Sequence, residues 1–303
     1  MTAEPLTRRL RPVGTLDILA TLMPLRRGGA WDPSFRVDRG TIWRATRNAD
    51  GAVTMSIRAD GDFVELEAWG AGAERALDRA PTLLGADDDW SGFHPAHPLL
   101  RELRHRQPGL RLCRSEAVLE ALVPTVMEQK VIGLEARDGY RRLVRDLGEP
   151  APGPAGLRLP PAADVLAHTP YWRFHSFAVE RRRAETIIRA AALASRLERL
   201  ADGTASAARE TLAALPGVGP WSANEVTMIA LGDPDAVSVG DFHLPNMVCH
   251  ALAGEPRGDD NRMLELLAPY AGQRGRVIRL LMGGHLRAPR FGPRLALRHL
   301  ERH

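Results

Sequence analysis

The sequence predicts an α+β protein, with an antiparallel β-rich N-terminal domain over residues 1–97 and an all-α domain over 98–303. Two observations carry that expectation. Alternating apolar and polar runs joined by Asp-Gly turns occupy the first third of the chain. From Pro98 onward, apolar residues return at helical spacing, with capping and breaking residues between the runs. No internal repeat or low-complexity tract interrupts either part.

Residues 41–46 alternate as a strand, turn through Asn48-Ala49-Asp50-Gly51, and continue as a second strand at 53–58. Asp60-Gly61 then leads into a third strand at 63–69. Half-buried strands need a cover, and a short helix around 74–79 is placed to supply it. In the second part, Ser115 is a suitable N-cap for a helix at 116–127. An amphipathic helix at 134–147 stops at Gly148. The Pro/Gly-rich run from Gly148 to Gly156 is either a loop within the helical part or a hinge. A short helix at 161–168 and a long one at 179–200 follow, the latter opening with Arg181, Arg182 and Arg183. Further helices are expected at 205–214, 221–231, 241–252 and 274–282.

Composition narrows the function classes. The 303 residues carry a formal net charge of only +4, yet arginine dominates the basic set and Lys130 is the one lysine. Arginine suits bidentate phosphate contacts, although a GC-rich genome would give the same bias. A pI near 9.6 permits nucleic-acid binding without requiring it. Two cysteines, Cys113 and Cys249, are too few for a disulfide scaffold, a four-cysteine iron–sulfur cluster or a cysteine-rich zinc site. His94, His97, His168 and His175 lack metal-ligand spacing. No leader-like apolar segment opens the chain and no apolar run reaches membrane-spanning length, so a cytoplasmic protein without a membrane partner is expected.

The most informative stretch is Leu212-Ala213-Ala214-Leu215-Pro216-Gly217-Val218-Gly219-Pro220-Trp221-Ser222-Ala223-Asn224. Pro216 ends one helix, because it lacks an N–H and biases the residue before it away from helix. Gly217 and Gly219 allow a tight turn and close approach to a ligand. The first N–H groups of the next helix are unpaired and lie at the positive end of its dipole, where a DNA phosphate fits. An ordinary helical corner also accepts glycines; the full run, rather than the Gly-x-Gly alone, favours DNA binding.

This stretch resembles the hairpin of the helix-hairpin-helix DNA glycosylases. The resemblance implies that amides at Gly217 and Gly219 hold a phosphate of the damaged strand, with Trp221 and Ser222 alongside. It also implies that the carbonyls of Ala213, Leu215 and Val218 can bind a monovalent cation, Na⁺ or K⁺, with no other cofactor required. Downstream, Val237-Ser238-Val239-Gly240-Asp241 fits a short extended segment leading into a helix start. The family carries an essential Asp there, which identifies Asp241 as the catalytic residue. Cleaving an N-glycosidic bond builds positive charge on the sugar, and a carboxylate near C1′ stabilises it and orients water. Asp is equally a good N-cap, and the two roles can coexist.

Members that also nick the strand carry a Lys nucleophile where this chain has Trp221; an indole cannot form a Schiff base. A monofunctional glycosylase is therefore expected, acting on a flipped alkylated or otherwise damaged base, a purine, in duplex DNA. A β-rich N-terminal domain with Trp at this position is similar to bacterial 3-methyladenine DNA glycosylase II. Val123 to Val131 resembles that family's helix-end segment, which places Gln129 before the residue that fills the gap left by the flipped base. That residue is Lys130, where an apolar plug is usual. A lysine there can instead reach phosphate or base edges, or simply face solvent.

Two pocket positions depart from the family. Glu225 replaces a Tyr, and Gln273 replaces a stacking Trp, so two rings suited to cationic purines are lost. Glu225 either hydrogen-bonds or stabilises a flipped base, or is an exposed helix residue. Trp172, with Tyr171, Phe174, His175 and Phe177, either packs the core or lines the base pocket. His243 reads as structural or phosphate-facing. Arg287, Arg290, Arg294 and Arg298 either track the DNA backbone or are solvated. The expected partner is damaged double-stranded DNA, bound by a monomer at the nucleoid. The alternative is a non-catalytic DNA-binding or damage-sensing module that keeps the hairpin.

Overall fold

A computed structural model describes residues 4–286 and 288–289. The tail arginines Arg287, Arg290, Arg294 and Arg298 lie outside the described residues.

The N-terminal part is one five-stranded sheet. Its strands are β1 (Leu6–Leu10), β2 (Phe35–Asp38), β3 (Thr41–Asn48), β4 (Gly51–Asp60) and β5 (Phe63–Trp69). The spatial order is β1-β5-β4-β3-β2 and every pairing is antiparallel. The three expected strands form the centre; β3 and β4 run longer than their alternation suggested, and β5 has the expected bounds. Both edge strands went unseen in the sequence: β1 (Leu-Thr-Arg-Arg-Leu) buries none of its residues and β2 buries only Phe35. Register sets Ile42 opposite Ile57 and Ile57 opposite Leu66, so one sheet face carries a continuous apolar row. Helix α1 (Ile18–Leu22), capped by the Asp17 carboxylate, and helix α2 (Ala73–Leu83) bury Leu22, Leu77 and Ala80 against that core.

The helical part comprises α3 (Pro98–Arg106), α4 (Val118–Glu128), α5 (Gly133–Leu147), α6 (Ala163–His168), α7 (Arg181–Ala192), α8 (Ala194–Glu198), α9 (Ala205–Ala213), α10 (Pro220–Ala230), α11 (Leu244–Ala253), α12 (Asp260–Leu267) and α13 (Arg274–Gly283). It has two apolar cores. One gathers Leu122, Val126, Leu143, Phe174, Ile187, Leu212 and Val226 around α4. The other joins α3 to α11, α12 and α13 through Leu100, Val248, Met263 and Leu280. Helix α4 is buried on nearly every side, as a helix apolar all round must be.

Three expectations are corrected. The helix expected at 116–127 starts at Val118, and its first turn is not capped by Ser115. The carboxylate of Glu198, 80 residues away in sequence, accepts the N–H groups of Val118 at 2.8 Å and Leu119 at 3.0 Å. The long helix at 179–200 is broken at Leu193 into α7, α8 and a 3₁₀ turn, a bend that brings Glu198 onto the start of α4. The helix expected at 241–252 begins at Leu244, which leaves Asp241 outside it.

The open question over 148–156 is also resolved. Arg158 N–H donates to the Pro33 carbonyl at 2.9 Å, and Ala155, Leu157 and Leu159 pack with Ala45 of the sheet. The segment is a loop docked on the N-terminal sheet. A second tie lies nearby: Arg44, on β3, donates to Glu120 of α4 at 2.8 Å, and Thr46 donates to the same carboxylate. A third is the buried pair of Arg276 on α13 with Asp88, at 2.9 Å.

Candidate active site

The hairpin is built from short-range hydrogen bonds. After α9 ends, Leu215 N–H donates to Leu212 at 3.0 Å and Val218 N–H to Leu215 at 2.9 Å. Val218 is buried and pins the turn to the core. Gly217 has φ +94°, and a Cβ there would lie 2.0 Å from the Thr186 hydroxyl, so glycine is required twice over. Gly219 differs: its φ is −99° and the space beside it is open. Among the described residues no acceptor meets the N–H of Gly219, Trp221 or Ser222 at the head of α10. These are the unpaired donors of a helix start.

Asp241 reaches this place through a loop pinned at three points. Asn224 Oδ1 accepts the Val237 N–H at 3.1 Å, Ser238 Oγ donates to Glu225, and Asp260 accepts the Gly240 N–H at 3.0 Å. The Asp241 carboxylate then serves two structures at once. Its Oδ1 accepts the N–H groups of His243 and Leu244, both at 2.7 Å, and so caps α11 from outside. Its Oδ2 accepts the indole N–H of Trp221 at 3.2 Å. One side chain thus caps α11 and meets Trp221, at the head of α10.

No family model matches the chain. Solved structures do. The 3-methyladenine DNA-glycosylase from Archaeoglobus fulgidus superposes with a TM-score of 0.75 at 18% identity, covering 92% of this chain and 98% of that one. The 8-oxoguanine glycosylase/lyase of Clostridium acetobutylicum gives 0.70 at 14% identity, over 93% of this chain and 98% of that one. The chain shares the fold of these two solved glycosylases. Among curated proteins, a probable bifunctional transcriptional activator/DNA repair enzyme of Mycobacterium tuberculosis is 35% identical over 153 residues. That match takes in 49% of this chain and 30% of the relative, so the chain spans under a third of the curated protein it matches.

Within this glycosylase fold the other candidate residues separate into two groups. Gln129 is drawn to the hairpin: its Nε2 donates to the Gly217 carbonyl at 3.0 Å and to Ser222 Oγ at 2.8 Å. Lys130 follows at the end of α4, exposed, with φ +55°. Glu225 lies one turn along α10 from Trp221, on the same helix face. It is partly covered rather than an exposed helix residue, because it accepts the Ser238 hydroxyl. Burial raises its carboxyl above the ordinary range, against the opposing Ser238 hydrogen bond. Arg27, Glu128 and Asp241 also act on it electrostatically. Arg27 comes from the N-terminal part and donates to Glu128 at 2.6 Å, which ties that part to the end of α4.

Trp172 and Gln273 are not gathered here. The aromatic segment splits: Phe174 and Phe177 are core, while Trp172 is 60% exposed on a turn that packs against α5 and α7. Gln273 is the N-cap residue of α13, and its Oε1 accepts from buried Arg276 at 2.6 Å. Neither has a ring contact or hydrogen bond to Trp221, Glu225 or Asp241 among the described residues. The His243 amide belongs to the Asp241 cap, and its ring stands edge-on to Phe242. Sequence reasoning missed Phe242, which is 78% exposed immediately after Asp241. A large apolar residue between an acid and a histidine in a loop was the signal available.

The carbonyls implied to hold a monovalent cation fit that role. Those of Ala213 and Val218 accept no hydrogen bond among the described residues, and Leu215 accepts one, from Val218. A carbonyl with a free lone pair is a suitable donor for a hard cation.

Proposed function

We propose that the protein is a monofunctional DNA glycosylase that hydrolyses the bond between a damaged purine and its deoxyribose in duplex DNA. The observation that carries this reading is the placement of Asp241, whose carboxylate meets the Trp221 indole beside the unpaired amides of the hairpin. The similarity to proteins described as 3-methyladenine DNA-glycosylase and as a DNA repair enzyme supports it.

In this reading the amides of Gly217 and Gly219, with Trp221 and Ser222 alongside, grip a backbone phosphate. Gln129 fixes the end of α4 against the hairpin, which presents Lys130 to the duplex. The lesion nucleotide rotates out of the stack toward Trp221 and Glu225, at a cost of a few kcal/mol that a damaged pair lowers. As the base departs, positive charge grows on the sugar, and the Asp241 anion stabilises it. Water adds to C1′, the base leaves with the proton, and the strand stays intact because Trp221 offers no amine. A Na⁺ or K⁺ ion on the Ala213, Leu215 and Val218 carbonyls would add positive charge behind the phosphate. The protein would act as a monomer on nucleoid DNA in the cytoplasm, with no redox or organic cofactor.

The test is Asp241→Asn. Excision from a panel of single-lesion duplexes is expected to fall by at least about 10²-fold, the loss typical of removing one electrostatic stabiliser, while affinity for an abasic-site duplex persists. Wild-type-like excision by this variant would refute the assignment. Wild-type protein that binds every duplex and releases no base would favour the non-catalytic DNA-binding alternative.

A further inference from the structure

We infer that Arg189, with Arg182 two turns earlier on α7, forms a second phosphate-binding point beside the hairpin; the inference rests on the DNA-binding part of the proposed function. Helix α7 is the seat of the hairpin. Thr186 lies against Gly217, so close that a Cβ on the glycine would meet its hydroxyl at 2.0 Å. Arg183 is buried and donates from Nη1 to the Met127 carbonyl at 2.7 Å, which ties α7 to the end of α4. Nearly one turn past Thr186, the exposed Arg189 donates from Nη1 to the Pro216 carbonyl at 3.0 Å. Pro216 immediately precedes Gly217, so this guanidinium is held against the very turn whose amides the proposed function assigns to a phosphate.

The three arginines that open α7 have different fates. Arg181 pairs with Glu185 at 2.7 Å and lies over the Tyr171 ring. Arg183 is spent inside the fold, with Glu180 3.6 Å away. Arg182 is exposed, and its side chain has no hydrogen bond or ion pair among the described residues. Arg189 has no carboxylate partner among them either. The Pro216 carbonyl takes one of its five N–H donors and leaves its charge in place. Elsewhere Arg44, Arg274 and Arg276 brace the fold by pairing with carboxylates.

The hairpin itself lacks what these two residues supply. From Leu212 to Asn224 it carries no charged residue, so its amides are neutral dipoles that can fix a phosphate without neutralising it. Arg182 and Arg189 are seven residues apart, which is two turns and about 10 Å along one stripe of the helix. Each DNA strand carries one phosphate per about 3.4 Å of axis, so the stripe spans about three phosphates. A guanidinium fork matches phosphate oxygens bidentately. Contacts of this kind hold the backbone in register and read no base, so they serve damaged and undamaged duplex alike.

The experiment measures affinity for an abasic-site duplex by fluorescence anisotropy across a sodium chloride series from about 0.05 to 1 M. Each phosphate contact adds about 0.9 to the slope of log affinity against log salt. Arg182→Gln and Arg189→Gln should each lower that slope by about 0.9, and the double variant by about twice as much. At about 0.1 M salt each should bind about eightfold more weakly than wild type, a deficit that shrinks to nothing near 1 M. Arg189→Lys keeps the charge and should keep the slope. Arg75→Gln removes an exposed arginine from α2, in the N-terminal part, and should leave the slope unchanged. A merely structural Arg189 would weaken binding by the same factor at every salt concentration, and such parallel lines overturn the inference. Wild-type slopes in both α7 variants overturn it too, as does an equal loss of slope in Arg75→Gln. Wild-type slopes in the α7 variants of a protein that excises bases defeat the inference and leave the glycosylase reading standing. Lowered slopes in a protein that releases no base do the reverse, and wild type that binds no duplex defeats both.

Discussion

Two glycines, one residue apart in the hairpin, should fail in opposite ways when changed to alanine. Gly217 has φ +94°, and its added Cβ would meet Thr186 Oγ1 at 2.0 Å and Thr186 Cβ at 3.0 Å. The left-handed conformation costs about 1–2 kcal/mol for a residue with a Cβ. Overpacking against β-branched Thr186, held on α7, adds roughly 1–3 kcal/mol. Gly217→Ala should therefore lose about 2–5 kcal/mol, equivalent to a melting temperature lower by about 5–15 °C in a chain of this size. Gly219 has an ordinary φ of −99° and open space where the Cβ would go. Gly219→Ala should stay within about 1 kcal/mol of wild type in stability. Under the proposed function its methyl group would project where a phosphate approaches the α10 amides, so affinity for an abasic-site duplex should fall about tenfold or more. Thermal unfolding followed by circular dichroism and fluorescence anisotropy with labelled duplex measure the two effects separately. A Gly217→Ala protein as stable as wild type would refute the steric argument. Undiminished DNA affinity in Gly219→Ala would refute the placement of the phosphate.

Three further outcomes are expected. Trp221→Phe keeps a ring but removes the N–H that meets Asp241 Oδ2. A hydrogen bond to a charged group contributes about 1.5–3 kcal/mol, so single-turnover excision should slow about 10–100-fold with little change in melting temperature. Glu198→Ala strips the acceptor from two amides at the start of α4 and should destabilise the protein by about 1–2 kcal/mol in denaturant unfolding, while Glu198→Gln, which keeps an acceptor, should lose less. Glu225 titrates above its ordinary range in the folded protein because it is buried, so between its unfolded and folded pKa values the folded state binds more protons than the unfolded one. Its contribution to stability therefore declines as pH rises through that window. Glu225→Gln should flatten the fall of melting temperature from about pH 4.5 upward, and a variant with the wild-type slope would contradict the burial.

The hairpin was the most legible part of the chain because it is local. Pro216, Gly217, Val218 and Gly219 specify a turn by their own backbone preferences, and the helix after them must leave amides unpaired wherever it sits. The central strands were legible for a similar reason, since alternation and Asp-Gly turns act within a few residues. The edge strands were not. The pattern of β1 is that of an exposed polar segment, and only pairing of Leu6 with Ala68 and Leu10 with Val64 makes it a strand. A helix boundary failed where a distant partner decides it, as Glu198 does for Val118; α11 starts three residues later than expected because Asp241 caps it from outside.

The site divides along the same line. The glycines were named from their backbone preferences, and Asp241 and Trp221 from the resemblance of the hairpin and the segment after it to the glycosylase family. That Gln129 is tethered to the hairpin carbonyl, that Glu225 turns inward to Ser238, and that Gln273 is spent on Arg276 could not be read that way. The sequence by itself determined which groups can turn, donate, accept or carry charge, because those properties belong to single residues and their near neighbours. Only the tertiary structure decided which of them meet, because a side chain's partner is chosen by the packing of helices far apart in the chain.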